Sequence, residues 1–186
     1  VWIPQSANCT SSGRSMGYDD LYWFSNYNSS FGTEAKLRSM IKTFKSKGIG
    51  TIADVVINHR GNLTSWTDFP VETYKGVTYQ MYSTDICQND DGGKTYNWAN
   101  GQSPKISLSN KYDSGDGWDG IRDLDHYSSN VQTVVKAYLD MLLNDFGYAG
   151  FRYDMVKGYA GKFTGIYNTA AKPGFSVGEY LDGNVS

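Results

Sequence analysis

This sequence has no excess of basic charge, no long apolar run, and very little histidine or cysteine. Its 186 residues carry 17 Lys and Arg against 19 Asp and Glu, a formal net charge of −2. No basic stripe is present to follow a phosphate backbone, which argues against nucleic acid as a partner. No segment approaches the roughly 20 apolar residues of a membrane-spanning helix, so no membrane partner is expected. The two histidines, His59 and His126, have no cysteine beside them. That argues against a zinc site and, with carboxylates too dispersed, against a metal-dependent phosphoesterase. No glycine-rich phosphate loop follows any predicted strand, which weighs against a nucleotide-binding sheet. The two cysteines, Cys9 and Cys87, are compatible with one disulfide in an oxidising compartment or with two inert thiols. No signal peptide is visible; the chain begins at Val1 within what already reads as a strand and stops soon after VGEYLDG. Both ends read as cut, and a longer protein is expected.

Aromatic residues are plentiful: 15% of the chain, including 15 Tyr and 5 Trp. Their rings suit the apolar faces of pyranoses, although glycine-rich, loop-heavy chains are often tyrosine-rich without binding sugar. Composition therefore points to carbohydrate only weakly.

The chain alternates strands with helices. VWIP is a short apolar strand closed by Pro4, and residues 5–32 read as a long polar loop with Gly13, Gly17 and Gly32. Thr33 is placed to cap a helix, with Glu34 in its first turn. Leu37, Met40, Ile41 and Phe44 follow at helical spacing, and Gly48 is the stop. IGTIADVVIN comes next, a nearly continuous β-branched run of the kind found in parallel strands buried on both faces. Residues 60–122 keep no period and are read as an inserted subdomain with a few short strands such as VTYQMY. Ser129 or Asn130 is expected to cap a helix whose apolar face runs from Val131 to Phe146 before Gly147. Strand GYAGFRYDMV, a helix around 161–171 and strand FSVGE complete the pattern.

Such alternation implies a parallel sheet, either open and doubly wound or closed as a (β/α)8 barrel. The polar residues favour the barrel. Asn58, His59, Arg152, Asp154 and Glu179 all fall at C-terminal strand ends, the face where barrel chemistry collects. The expected fold class is α/β, part of a (β/α)8 TIM barrel with about four of its strands. Residues 1–59 and 123–186 form its two parts, and 60–122 is inserted after the second visible strand.

Three segments, DVVINH (54–59), GFRYDMVKGY (150–159) and SVGEY (176–180), together resemble the conserved regions of the α-amylase family of glycoside hydrolases. MGYDDLYW (16–23), FGTEAKLRSMI (31–41) and RDLDH (122–126) extend the similarity over nearly the whole chain, in the family's order. INHR and KGY look closest to the branch that includes plant and some bacterial α-amylases. The insert stands where that family has its domain B. GYDDLYW is shorter than the common GYDPYDLYDL, a departure that touches Tyr18.

Glycosidic cleavage needs two carboxyls flanking the bond, one to attack carbon or activate water and one to protonate the leaving oxygen. Asp154 and Glu179 end consecutive strands. Neighbouring strands lie about 4.8 Å apart, compatible with the roughly 5–5.5 Å carboxyl separation of a retaining enzyme. Arg152, two residues before Asp154, faces the same side and would hold its carboxylate ionised. The resemblance implies that Asp154 is the nucleophile and Glu179 the proton donor. It also implies that His59 and Tyr18 contact the sugar in the cleavage subsite and that Lys157 acts on the leaving-group side. Asp54, inside an apolar strand, is expected to be buried and paired with Arg152 or a backbone donor, as support rather than catalyst.

The resemblance further implies calcium, Ca2+, held by Asn58, Asp123 and the backbone carbonyl of Gly158, all hard oxygen donors. Asp116 is a further candidate, with Asp119 its competitor, and DDGG (90–93) reads as a turn rather than a second ion site. The implied activity is retaining endo-hydrolysis of α-1,4-glucosidic bonds in starch, glycogen or maltooligosaccharides, by a monomeric, secreted or periplasmic enzyme. Transglycosylation by the same residues and a non-catalytic glucan-binding role are the alternatives. The family's third carboxylate, in an Asn-His-Asp segment, has no match before Ser186. Residues 1–186 alone are therefore expected to have little or no activity.

Overall fold

The computed structural model describes residues 1–9 and 16–183. Positions 10–15, which include Gly13 of the expected loop, and 184–186 lie outside the described residues.

Trp2–Ile3 forms strand β1. Helix α1 (Glu34–Ser46) starts at Thr33, whose hydroxyl accepts from Lys36 N at 3.4 Å; such a cap contributes about 1 kcal/mol. Leu37 and Ile41 are its buried face. Strand β2 (Ile52–Val55) is shorter than the expected run. Beyond Val55 the chain leaves the sheet, and His59–Arg60 forms β3. Glu72–Tyr74 (β4) and Val77–Tyr79 (β5) make a hairpin. Its turn, Lys75 and Gly76, has φ of 50° and 76°, the left-handed pair that tight hairpins prefer. A short helix, α2 (Lys94–Asn100), was not anticipated; DDGG before it is a helical turn. Arg122–Asp123 (β6) pairs antiparallel with β3, bringing the two ends of the intervening segment together.

Helix α3 (Ser129–Asp140) is capped by Ser128, one or two residues earlier than expected. The Ser128 hydroxyl accepts from Asn130 N (3.1 Å) and Val131 N (3.3 Å). Asn130 is unavailable as a cap because its side chain donates to Gln80 O at 2.9 Å and to Asp85 at 2.6 Å. The helix widens into a π turn over Met141–Phe146 and ends at Gly147, φ 88°. Strand β7 (Gly150–Tyr153), helix α4 (Gly161–Ala171) and strand β8 (Phe175–Gly178) follow.

The main sheet is parallel, in the order β1-β2-β7-β8. On one face Ala53, Val55, Phe151 and Tyr153 are at most 3% exposed, each large side chain contributing about 1.5–3 kcal/mol by leaving water. The other face carries Trp2, Asp54, Arg152 and Val177, set side by side by the register. β1 and β8 are the edges, and β8 is exposed along its length. His126 lies buried under α4: Nε2 donates to Ile57 O (3.0 Å) and Nδ1 accepts from Tyr167 Oη (2.6 Å). Burial pushes its pKa down to about 3, so it stays neutral and structural. Among the described residues no helix is long and apolar enough to cross a membrane, and Cys9 and Cys87 are not joined in a disulfide.

Candidate active site

The hydrogen-bond ladder runs one step past the strands. Asp154 N donates to Val55 O at 2.9 Å, and Glu179 N donates to Tyr153 O at 2.9 Å. Asp154 and Glu179 are thus neighbours at the C-terminal ends of β7 and β8. One guanidinium joins them. Arg152 Nη1 donates to Asp154 Oδ1 at 2.7 Å and to Asp54 Oδ1 at 2.8 Å, while Nη2 lies 2.9 Å from Glu179 Oε1. The other oxygen of Glu179 accepts from Met155 N at 3.2 Å. Met155 reaches that position with φ 45°, a left-handed conformation costing a non-glycine residue about 1 kcal/mol or more. The strain aims its amide at Glu179.

Burial raises the Asp154 pKa from its usual range to about 6; the Asp54 and Glu179 charges add to the rise and Arg152 opposes it. Burial raises Asp54 as well, again against Arg152. For Arg152, burial acts to release its proton, but Asp54, Asp154 and Glu179 outweigh it and push its pKa above an already high value. Arg152 is a permanent cation shared by three carboxyls.

These groups open into a cleft of about 630 Å³ walled by Tyr18, His59, Trp118, Lys157 and Leu181. A smaller hollow of about 240 Å³ beside Ile3, Tyr27, Leu37 and Met40 lies away from the carboxyls. The Tyr18 ring sits over Arg152 at 5.8 Å. Burial, with help from Asp54, pushes its hydroxyl up to about 12. His59 is 2% exposed, and burial lowers its pKa. Its Nε2 donates to Tyr18 O at 2.8 Å and its Nδ1 accepts from Asn58 Nδ2 at 3.2 Å, so both ring nitrogens are engaged by the protein. Its ring face stacks on Trp118, with centroids 5.8 Å apart. Lys157 reaches Asp116 at 3.4 Å.

The oxygen donors anticipated for calcium gather only in part. Asn58 donates to Asp123 Oδ1 at 3.1 Å and packs so tightly on Gly158 that any side chain there would collide with its amide. Asp116 does not join them, because its carboxylate is 68% exposed and turned to Lys157. Asp113 stands in that place instead. Its Oδ2 and that of Asp123 each come within 3.6 Å of where a Cβ on Gly117 would be, a cradle that glycine leaves open. Asp113 Oδ2 is buried and has no hydrogen-bond partner. Burial, reinforced by the Asp113 and Asp90 charges, drives the Asp123 pKa to about 9. A buried carboxylate whose pKa a neighbouring carboxylate raises, beside an oxygen of that neighbour left without a hydrogen bond, fits a hard cation. Among the described residues no three His, Cys, Asp or Glu side chains converge as a metal site, so the fitting set is mixed, with amide and backbone oxygens.

A parallel α/β sheet with two carboxyls at adjacent C-terminal strand ends is the arrangement that a barrel segment would present. The family described as "Alpha amylase, catalytic domain" matches residues 9–174, and the chain belongs to that family. It is 28% identical over 186 residues to "Probable alpha-amylase 2" of Arabidopsis thaliana, covering 98% of this chain and 39% of that protein. It is 31% identical over 188 residues to "Alpha-amylase 3, chloroplastic" of the same plant, covering 98% of this chain and 18% of the relative. The chain thus spans well under half the length of these curated relatives. Among solved structures, an alpha-amylase from Malbranchea cinnamomea superposes with a TM-score of 0.62 at 19% identity, over 98% of this chain and 37% of that one. The fold is therefore part of a (β/α)8 barrel.

Four residues of the site escaped the sequence reading: Trp2, Asp113, Trp118 and Met155. Trp2 had a usable signal, since strand register places it on the face of Asp54 and Arg152. Met155 had none, because nothing in a methionine announces a left-handed backbone.

Proposed function

We propose that the protein carrying this chain hydrolyses internal α-1,4-glucosidic bonds of starch, glycogen or maltooligosaccharides with retention of configuration. The observation that carries the reading is Arg152, which holds Asp154 and Glu179 together at the floor of an aromatic-walled cleft. In the first step an Asp154 oxygen attacks the anomeric carbon, the glycosidic C–O bond breaks, and the leaving oxygen takes a proton from Glu179. In the second, Glu179 removes a proton from water, whose oxygen attacks the same carbon and frees Asp154. Arg152 keeps the attacking carboxylate ionised and aligned. Tyr18 and Trp118 offer ring faces to the pyranose, and Lys157 donates on the leaving-group side. His59 serves the sugar subsite through the Tyr18 backbone and the Trp118 ring that it holds.

Calcium belongs to this reading. Asn58, Asp113, Asp123 and the Gly158 carbonyl would hold it, and it would supply the positive charge that the buried carboxylates lack. Residues 60–122 act as an inserted domain between the barrel parts 1–59 and 123–186, and a secreted or periplasmic location suits a polymeric substrate outside the cell.

The test is proton NMR of the first product released from a maltooligosaccharide by the full-length chain. The α-anomer should appear first, and Asp154→Asn and Glu179→Gln should each lower kcat by roughly 1,000-fold or more. The β-anomer, or Asp154→Asn at wild-type turnover, overturns the reading; transfer to an added sugar acceptor in place of water would mark a transglycosylase.

A further inference from the structure

We propose that Trp2 is a positioning residue for Arg152 and, through its guanidinium, for both carboxyls of the site; the inference rests on the reaction proposed above. β1 pairs Trp2 with Ile52, and β2 pairs Asp54 with Arg152. Alternation along the strands therefore sets Trp2, Asp54, Arg152 and Asp154 on one face. The Trp2 ring lies over the Arg152 guanidinium at 5.0 Å, nearer than the Tyr18 ring at 5.8 Å. A guanidinium donates in its plane and stacks through its faces. Here the plane is taken by Asp54, Asp154 and Glu179, which leaves the faces to the rings.

A second observation concerns Asp54. Its Oδ1 accepts from Arg152, but its Oδ2 is buried without a well-formed hydrogen bond. Trp2 and Tyr18 both act to lower the Asp54 pKa, against the burial that raises it. Trp2 thus sits at the pair that anchors the site, with its ring on Arg152 and on the sheet face that carries Asp54.

Of the sugar-facing groups, Trp118 stacks on His59 and Lys157 reaches Asp116, away from the Trp2–Arg152 contact, so loss of Trp2 should act on kcat more than on KM. In the full-length chain, Trp2→Phe keeps an aromatic face and loses the donor, while Trp2→Ala loses both. We expect kcat to fall about 10-fold and about 100-fold respectively, with KM within about 3-fold of wild type. The affinity for a cationic iminosugar, read by calorimetry without turnover, should weaken in the same order. Ile3→Val is the control for damage to β1; it should lower the unfolding midpoint and leave kcat unchanged. Trp2→Ala with wild-type kcat, or a kcat loss that Ile3→Val reproduces at equal loss of midpoint, overturns the inference. Asp154→Asn in the same series separates the layers. If it is inactive while Trp2→Ala is wild type, the inference alone fails; if it turns over normally, the reaction fails and the inference with it.

Discussion

Replacing Asp154 with Asn is expected to stabilise the fold at neutral pH. The carboxyl rises from its ordinary 3.8 to about 6 in the fold, chiefly through burial. That is about two units, each equivalent to ~1.4 kcal/mol. Folding raises the pKa of this acid, so the ionised form is the one that opposes folding. Well below pH 3.8 both states hold the proton and no penalty exists. Between 3.8 and about 6 the unfolded chain ionises first and stability falls as pH rises. Above that the penalty is complete, at about 3 kcal/mol. Asparagine keeps the shape without the charge, and Arg152 keeps Asp54 and Glu179 as partners. The lost bond to Arg152 offsets part of the gain, which leaves ~1–3 kcal/mol. Urea unfolding of both proteins checks this: the variant's midpoint should be higher by ~0.5–1 M at about pH 8, and the gap should shrink towards about pH 4. A variant less stable at the higher pH, or a gap that does not close on acidification, would refute the idea that burial outweighs Arg152 at this carboxyl.

Calcium at about 100 times its Kd should raise stability by ~3 kcal/mol, and Asp113→Asn should abolish the effect; a full response in that variant removes Asp113 from the set. Met155→Gly should be tolerated, whereas Met155→Ile should cost ~1–2 kcal/mol in urea unfolding, because a β-branched residue resists a φ of 45°. Trp118→Ala should weaken maltooligosaccharide binding about 10-fold by calorimetry, and unchanged affinity would show that its exposed ring is not a sugar platform.

Much of the fold could be read from the sequence because its signals are local. Thr33, the 3.6-residue spacing of α1 and α3, and the β-branched run before Asn58 each act within a few residues. The sequence predicted that Asp54, a carboxylate in an apolar strand, would be buried and paired, with Arg152 or a backbone donor as its partner; the fold selects Arg152, 98 residues away. What stayed hidden depends on contacts across the chain. Ser128 caps α3 because Asp85 and Gln80, more than 40 residues away, draw off Asn130. The sequence offered Asp116 and Asp119 in one acidic, glycine-rich loop and did not single out Asp113; only the fold turns Asp116 to Lys157 and sets Asp113 and Asp123 about the same glycine, Gly117. Helix α2 lacks an apolar period long enough to betray it.

Asp123 spends its two oxygens in different places, one on Asn58 at 3.1 Å and one on the backbone N–H of Trp118 at 2.8 Å. Whatever alters the charge on that carboxylate must therefore tug on the indole forming part of the cleft wall. If calcium is held there as proposed, a chelator should loosen the Trp118 side of the cleft along with the ion's own ligands.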